Sequence, residues 1–261
     1  MTSIALPSSL TSIGYEAFAW CDGLTSPSSV TSIGEGAFYY CYNLASVILS
    51  SGLTSIGSTA FSECSSLTSI NIPSSVTSIG WYAFSRCSSL ASVDIPSSVT
   101  FIGGGAFEYC SSLTSVTLPS GITSIGSSTF RWCEGLTNIN IPSSVTSIGD
   151  RAFEYCGLES VYVSWGTPLK IYTSKFDGVD TKTCILYVPK GTLDAYKNSV
   201  WGEIFENIVE YDATGINHVT TSGDAKETSR YTADGQRLDA PAKGLNIVKY
   251  SDGSVKKVII Q

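Results

Sequence analysis

The chain has 261 residues and a formal net charge of −7. All of that charge lies before residue 166, where Arg86, Arg131 and Arg151 stand against ten acidic residues and no lysine; beyond it, twelve basic residues balance twelve acidic ones. An acidic, lysine-free surface repels phosphate backbones, which argues against nucleic acid as a partner. No apolar run reaches the ~18 residues a membrane-spanning helix needs, so no transmembrane segment is expected.

Met1 is followed almost at once by IALP (4–7), which matches the tail of a unit seen again as INIP (70–73). The chain therefore reads as starting in mid-repeat, as a piece of something longer, and the lack of a visible leader says little about its compartment. The full unit is clearest in LTSINIPSSVTSIGWYAFSRCSS (67–89). Gly34, Gly57, Gly80, Gly103, Gly126 and Gly149 recur every 23 residues, with Gly14 three short of register. Phe18, Phe38, Phe61, Phe84, Phe107, Phe130 and Phe153 keep the same beat, as do Cys21, Cys41, Cys64, Cys87, Cys110, Cys133 and Cys156. A fixed short period means that each copy buries against its neighbour a face it could not bury alone. The expected fold is a mainly β repeat solenoid, a right-handed superhelix of seven copies.

Within one copy, Ile70-Asn71-Ile72 alternates as a strand with one buried face. Val93-Asp94-Ile95, Val116-Thr117-Leu118 and Ile139-Asn140-Ile141 are its equivalents. Pro73, Pro96, Pro119 and Pro142 end these strands, because proline supplies no ladder N–H. VTSIG (76–80) predicts a second short extended piece, with Gly80 giving a bend at positive φ. AFSRC (83–87) predicts a tight turn or short helical piece that places Ala83, Phe84 and Cys87 inside. At about 4.8 Å per stacked strand, the copies form a slab on the order of 35 Å long. A local defect is expected near Ser26-Pro27, where the strand core is missing, and a one-residue slip at Cys156-Gly157-Leu158.

The pattern L-x-x-[IV]-x-[IL]-P followed by S-[SG]-[VI]-T-S-I-G-x-x-[AT]-F-x-x-C resembles the leucine-rich repeat in its BspA-like form, over residues 4–163. It departs from the general leucine-rich signature in having Ser75, Ser98 and Ser144 where asparagine or cysteine usually stands, so no ladder of buried amides is expected. The resemblance implies an extracellular or cell-surface protein that contacts host or bacterial proteins.

After the array (1–163), Phe176 keeps the beat once more, and 170–191 reads as a degenerate closing repeat. In TLDAYKNSVWGEIFENI (192–208), Thr192 is a candidate N-cap, with Leu193, Tyr196 and Val200 on one helical face. Trp201, Phe205 and Ile208 are placed to cover the last repeat, so 164–211 is read as a cap. Residues 212–229 have a linker's composition. In 230–261, Asp234-Gly235 and Asp252-Gly253 are hairpin signals, the second between Leu245–Tyr250 and Val255–Ile260, predicting a small β-hairpin tail. This tail resembles the C-terminal modules of secreted Bacteroidetes proteins, including type IX sorting domains; a plain β-rich tail is the alternative.

The only histidine, His218, lies in the linker, and no G-x-x-x-x-G-K-[ST], H-E-x-x-H or G-x-S-x-G occurs. The chain is therefore read as non-catalytic, without cofactor or metal. The cysteines lack paired zinc spacing, and their parallel side chains fit buried free thiols better than disulfides. Two surfaces are candidates for binding. On the side expected to be convex, the slot before each cysteine holds Trp20, Tyr40, Glu63, Arg86, Tyr109, Trp132 and Tyr155. The aromatic members, Trp20, Tyr40, Tyr109, Trp132 and Tyr155, form a stripe for a partner protein or sugar rings, or else braces between neighbouring repeats. On the concave strand face, Asn71, Asp94, Asn140 and Tyr162 occupy the central outward slot. Three functions follow: a secreted or surface scaffold for adhesion or protein interaction, a glycan-binding module on the aromatic stripe, or a spacer for upstream domains. The threonine ladder Thr11, Thr31, Thr54, Thr77, Thr100, Thr123 and Thr146 is expected to hydrogen-bond along the stack or to water.

Overall fold

In the computed structural model, the described residues are 4–5, 12–24, 27–28, 33–211 and four strands near the C-terminus, Glu227–Thr232, Arg237–Leu238, Gly244–Tyr250 and Val255–Ile260. They fall into two compact units, Met1–Glu210 and Tyr211–Gln261.

The period-two alternation of the repeat becomes parallel strands in exact register. Ser69–Asn71 pairs with Ser92–Asp94, and that strand with Ser115–Thr117, so that Ile70, Val93 and Val116 align inside and Asn71, Asp94 and Thr117 align outside. Asn138–Ile141, Ser160–Val163 and Ile185–Pro189 continue this side of the molecule, again parallel. The TSIG segments form a second set of short parallel strands, Ser55–Ile56, Ser78–Ile79 and Phe101–Ile102 among them. Between the two sets the chain turns at the prolines, whose carbonyls accept from Val76 and Val99 at 3.0 Å and from Val145 at 3.1 Å.

The interior is a set of columns. Phe38, Phe61, Phe84, Phe107, Phe130 and Phe153 are completely buried, and each ring stacks on the next. From Cys41 to Cys156 each column thiol donates to the carbonyl of the preceding copy's phenylalanine, as from Cys87 to Phe61 at 3.1 Å and from Cys110 to Phe84 at 3.2 Å. All eight cysteines are free. Burial makes the buried thiols of the column less acidic, raising Cys41 to about 11 and Cys156 to about 12. A thiol that stays protonated in a dry column is a small packing group with a weak donor, and it is inert as a nucleophile.

The glycine column has a different cause from the expected bend at positive φ. Gly80 is not among the positive-φ residues. It is required by close approach instead: a Cβ on Gly80 would lie 2.4 Å from the Ser58 backbone nitrogen, and one on Gly103 2.5 Å from that of Trp81. Positive φ falls on other residues. Thr59 and Glu63, Tyr82 and Arg86, Ser128 and Trp132, Arg151 and Tyr155 all adopt it, twice in each turn.

The stack is closed at its C-terminal end. Phe176 stacks on Phe153 at 5.3 Å, and Trp201 and Phe205 pack on Phe176. Trp165 donates its Nε1–H to Val145, and Trp201 donates to Leu169, both at 2.8 Å. The single helical face expected over 192–208 is two short helices, Leu193–Lys197 and Val200–Ile204. Thr192 holds the N-cap position without capping, since its hydroxyl donates to the Pro189 carbonyl at 2.6 Å. Ser199 caps the second helix instead, accepting from the Trp201 amide. Ile208 is only partly buried against the core.

In the second unit, Glu227–Thr232 pairs antiparallel with Arg237–Leu238 and with Gly244–Tyr250, which in turn pairs with Val255–Ile260. The hairpin signals Asp234-Gly235 and Asp252-Gly253, the linker's His218, and Thr11 and Thr31 of the threonine ladder lie outside the described residues. The expected N-terminal defect falls partly there; Pro27–Ser28 pairs with Ile4–Ala5.

Candidate functional site

The turn side of each coil is built by its alternating backbone. A left-handed residue costs on the order of 1 kcal/mol when it is not glycine. Here it turns alternate N–H groups along the stack, where Thr59, Phe61 and Glu63 donate to Trp81, Ala83 and Ser85, each at 2.8 Å. Three strong bonds per coil offset two such residues. The same geometry projects the side chain before each cysteine outward.

The predicted aromatic members of that slot are brought together in two runs. Trp20 stacks on Tyr40 at 4.0 Å, and Tyr109 on Trp132 at 5.9 Å, with Trp132 in turn on Tyr155 at 4.0 Å. Between the runs, Glu63 pairs with Arg86 at 3.3 Å, and the Arg86 guanidinium lies 4.6 Å from the centre of the Tyr109 ring. Tyr109 and Trp132 thus have both faces covered. Tyr155 is closed on its far side by Gly178, where a Cβ would come within 2.4 Å of the ring. Tyr109 and Trp132 therefore present only edges to solvent, and a sugar stacking on this column would find no open face at its centre.

One groove of about 560 Å³ lies at the cap, and another of about 500 Å³ runs beside the column along the array. The second lies between Glu63, Arg86, Tyr109 and Trp132 on one side and Ser65, Ser88 and Ser111 on the other, ending at Glu134. The Trp132 Nε1–H is buried without a hydrogen-bond partner. In the next slot, Arg131 is held between Glu108, at 3.1 Å, and Glu154. Hydrogen bonding to Glu154 raises its basicity further, so this triad is a permanent ionic clamp across three coils.

On the strand face, Asn71, Asp94 and Asn140 are exposed and in line, as the period requires. Tyr162 is partly exposed and stacks at 4.3 Å and 5° on Tyr187. Tyr187 was readable in the sequence, since ILYVP (185–189) repeats the strand-then-proline pattern two residues out of the regular beat. The face has small polar neighbours along most of its length, aromatic ones only at this end, and the aliphatic Ile48, 65% exposed, at the other. Sequence reasoning also passed over Trp81 and Tyr82, whose signal was two bulky residues in a slot that is small in the adjacent coils.

Among the described residues, no three His, Cys, Asp or Glu side chains gather as a metal would require. No described helix is long and apolar enough to cross a membrane. The surface offers extended faces and shallow grooves, which suit contact with another macromolecule.

No curated protein matches the chain in sequence. Solved structures do. The leucine-rich-repeat protein of T. pallidum is 36% identical over 59% of this chain and 76% of its own, with a TM-score of 0.57. One from Bacteroides ovatus is 26% identical over 71% of this chain and 63% of its own, at 0.55. One from Eubacterium ventriosum is 28% identical over 60% of this chain and 44% of its own, at 0.50. The model of the BspA-type leucine-rich repeat region matches residues 1–114 and 100–183, in six copies. With the register, the phenylalanine and thiol columns and these likenesses in agreement, the chain belongs to the BspA-type leucine-rich-repeat family, whose fold is a repeat scaffold for protein interaction.

Proposed function

We propose that the array acts outside the cell, secreted or held at the surface, as an adhesion scaffold for a host or bacterial protein. The partner docks on the strand face and is anchored at the Tyr162–Tyr187 end. The stacked tyrosine pair carries this reading, as it is the one aromatic anchor among the described outward strand slots from Asn71 onward. Aromatic side chains with an apolar body and a polar tip supply a large share of interface energy, while small polar neighbours supply fit. Residues 164–211 serve as the cap, and the stretch before the Glu227–Thr232 strand as a linker to the tail, which resembles modules of secreted proteins.

The test is a binding screen of the full chain against extracellular-matrix and bacterial surface proteins, repeated with Tyr162→Ala/Tyr187→Ala. A saturable partner whose affinity falls about tenfold or more in the double variant is expected. A blank screen, or a partner indifferent to both tyrosines, sinks the reading. Protease shaving of intact cells that leaves the protein untouched removes its extracellular half.

A further inference from the structure

Two adjacent coils break the repeat along one edge. The pair of residues after the coil glycine is small on either side, Ser58-Thr59 and Ser127-Ser128, but reads Trp81-Tyr82 and then Gly104-Gly105 between them. Trp81 is 52% and Tyr82 43% exposed, while Gly104 and Gly105 are buried. A Cβ on Gly104 would sit 2.6 Å from Cζ3 of Trp81, and one on Gly105 would sit 2.2 Å from Cε1 of Tyr82. The two rings therefore lie down on bare glycine backbone. They cover it with one side and turn the other to solvent, unlike the rings of the column described above. On the same edge Phe101 pairs in register with Ser78, in a slot held by serine at Ser55, Ser124 and Ser147, and it is 45% exposed.

The equivalent slots in the neighbouring coils are uncharged. The slots around these rings hold Ser58, Thr59, Ser127 and Ser128, and charge returns in them only one coil further out, at Glu35 and at Asp150-Arg151. A charged ligand would lose hydration here without gaining a counter-ion. A ligand with flat apolar C–H faces and a fringe of neutral hydroxyls would lose little. Its faces fit the open rings, and its hydroxyls meet serine and threonine hydroxyls that both donate and accept. We propose that the Trp81–Tyr82–Phe101 edge is a binding platform for a neutral glycan chain. It is separate from the strand face, and neither reading depends on the other.

The full chain is titrated with cello-, laminari-, manno- and chito-oligosaccharides, with heparin and polygalacturonate as charged probes, by calorimetry and tryptophan fluorescence. At least one neutral oligosaccharide binds, and Trp81→Ser weakens it by about tenfold or more, with smaller losses for Tyr82→Thr and Phe101→Ser. Each of these puts in a residue that a neighbouring coil already carries in that slot, so the stack is kept. Gly104→Ala, which lifts the indole without removing it, weakens binding as well. Tyr162→Ala leaves it unchanged. The proposal is overturned if no neutral oligosaccharide binds, if the charged probes bind more tightly, or if Trp81→Ser and Gly104→Ala bind as the parent does.

Discussion

The two sides of each coil come from one 23-residue sentence, yet they are joined to their neighbours in opposite ways. On the turn side, amides donate forward to the next coil, Phe61 to Ala83 at 2.8 Å, and rings stack on rings. On the strand side, amides donate backward, Thr77 to Thr54 and Gly80 to Ile56, both at 2.9 Å, and the outward side chains are small and polar. The turn side is thus held by side chains that reach the next coil, through the phenylalanines, the thiols and the Glu108–Arg131–Glu154 clamp. The strand side is held by backbone bonds and short hydroxyls that donate to the preceding coil, Ser75 to Leu53 at 2.6 Å and Thr77 to Thr54 at 3.2 Å, so the remaining outward residues are free to vary. Where the repeat is constant, coils touch each other; where it varies, the molecule meets its surroundings.

The difference can be broken most directly in the turn. Phe107→Ala empties a completely buried site between two stacked rings, and is expected to cost about 3–5 kcal/mol in urea unfolding. Asn71→Ala, on the exposed strand face, should stay within about 0.5 kcal/mol. A smaller effect separates the two kinds of glycine. Gly80→Ala drives a methyl into the Ser58 backbone, whereas at Gly121 the nearest atom to a Cβ is the Thr100 methyl at 3.6 Å, an ordinary contact. The first should lose about 1–3 kcal/mol and the second almost nothing. Equal losses would mean that coil spacing is softer than the register implies.

Much of this was legible in the residues. The phenylalanine, cysteine and glycine columns fixed the period, and alternation in INI and its equivalents placed Asn71, Asp94 and Asn140 outward. Four things were not legible, each for a physical reason. Gly80 was read for its freedom at positive φ, because sequence shows that glycine is needed but not whether φ or clearance demands it. Positive φ at Glu63, Arg86 and Trp132 carries no residue signature, since it is imposed by bonds between coils, a tertiary effect that overrides local preference. The aromatic slot showed which residues line up, but not that Tyr109 and Trp132 spend both faces on their neighbours. The helix over 192–208 divided because Ser199 offered a cap in mid-run, a stronger local signal than the apolar spacing that crossed it.

The smallest effect concerns charge at the end of the turn side. Lys175 occupies the slot filled by Ala60, Ala83, Ala106 and Ala152 in earlier coils, is 4% exposed, and pairs with the largely exposed Asp150. The hydrogen bond from the ammonium holds the Asp150 carboxyl below its usual range. A carboxyl with a depressed value in the folded state stabilises that state fully above its unfolded value, about 3.9, and loses the contribution as pH falls through the folded value. Acidification below about pH 4 should therefore weaken the closing coil and leave Lys175 as a buried cation without its partner. Asp150→Asn should show a modest loss already at neutral pH, and its melting curve should converge on that of the parent as the parent is acidified. Asp94→Asn, on the strand face and without an ion pair among the described residues, should leave the acid profile where it was. Parallel acid profiles for the parent and Asp150→Asn would show that the lysine is satisfied without its carboxylate, and that the turn side closes by packing alone.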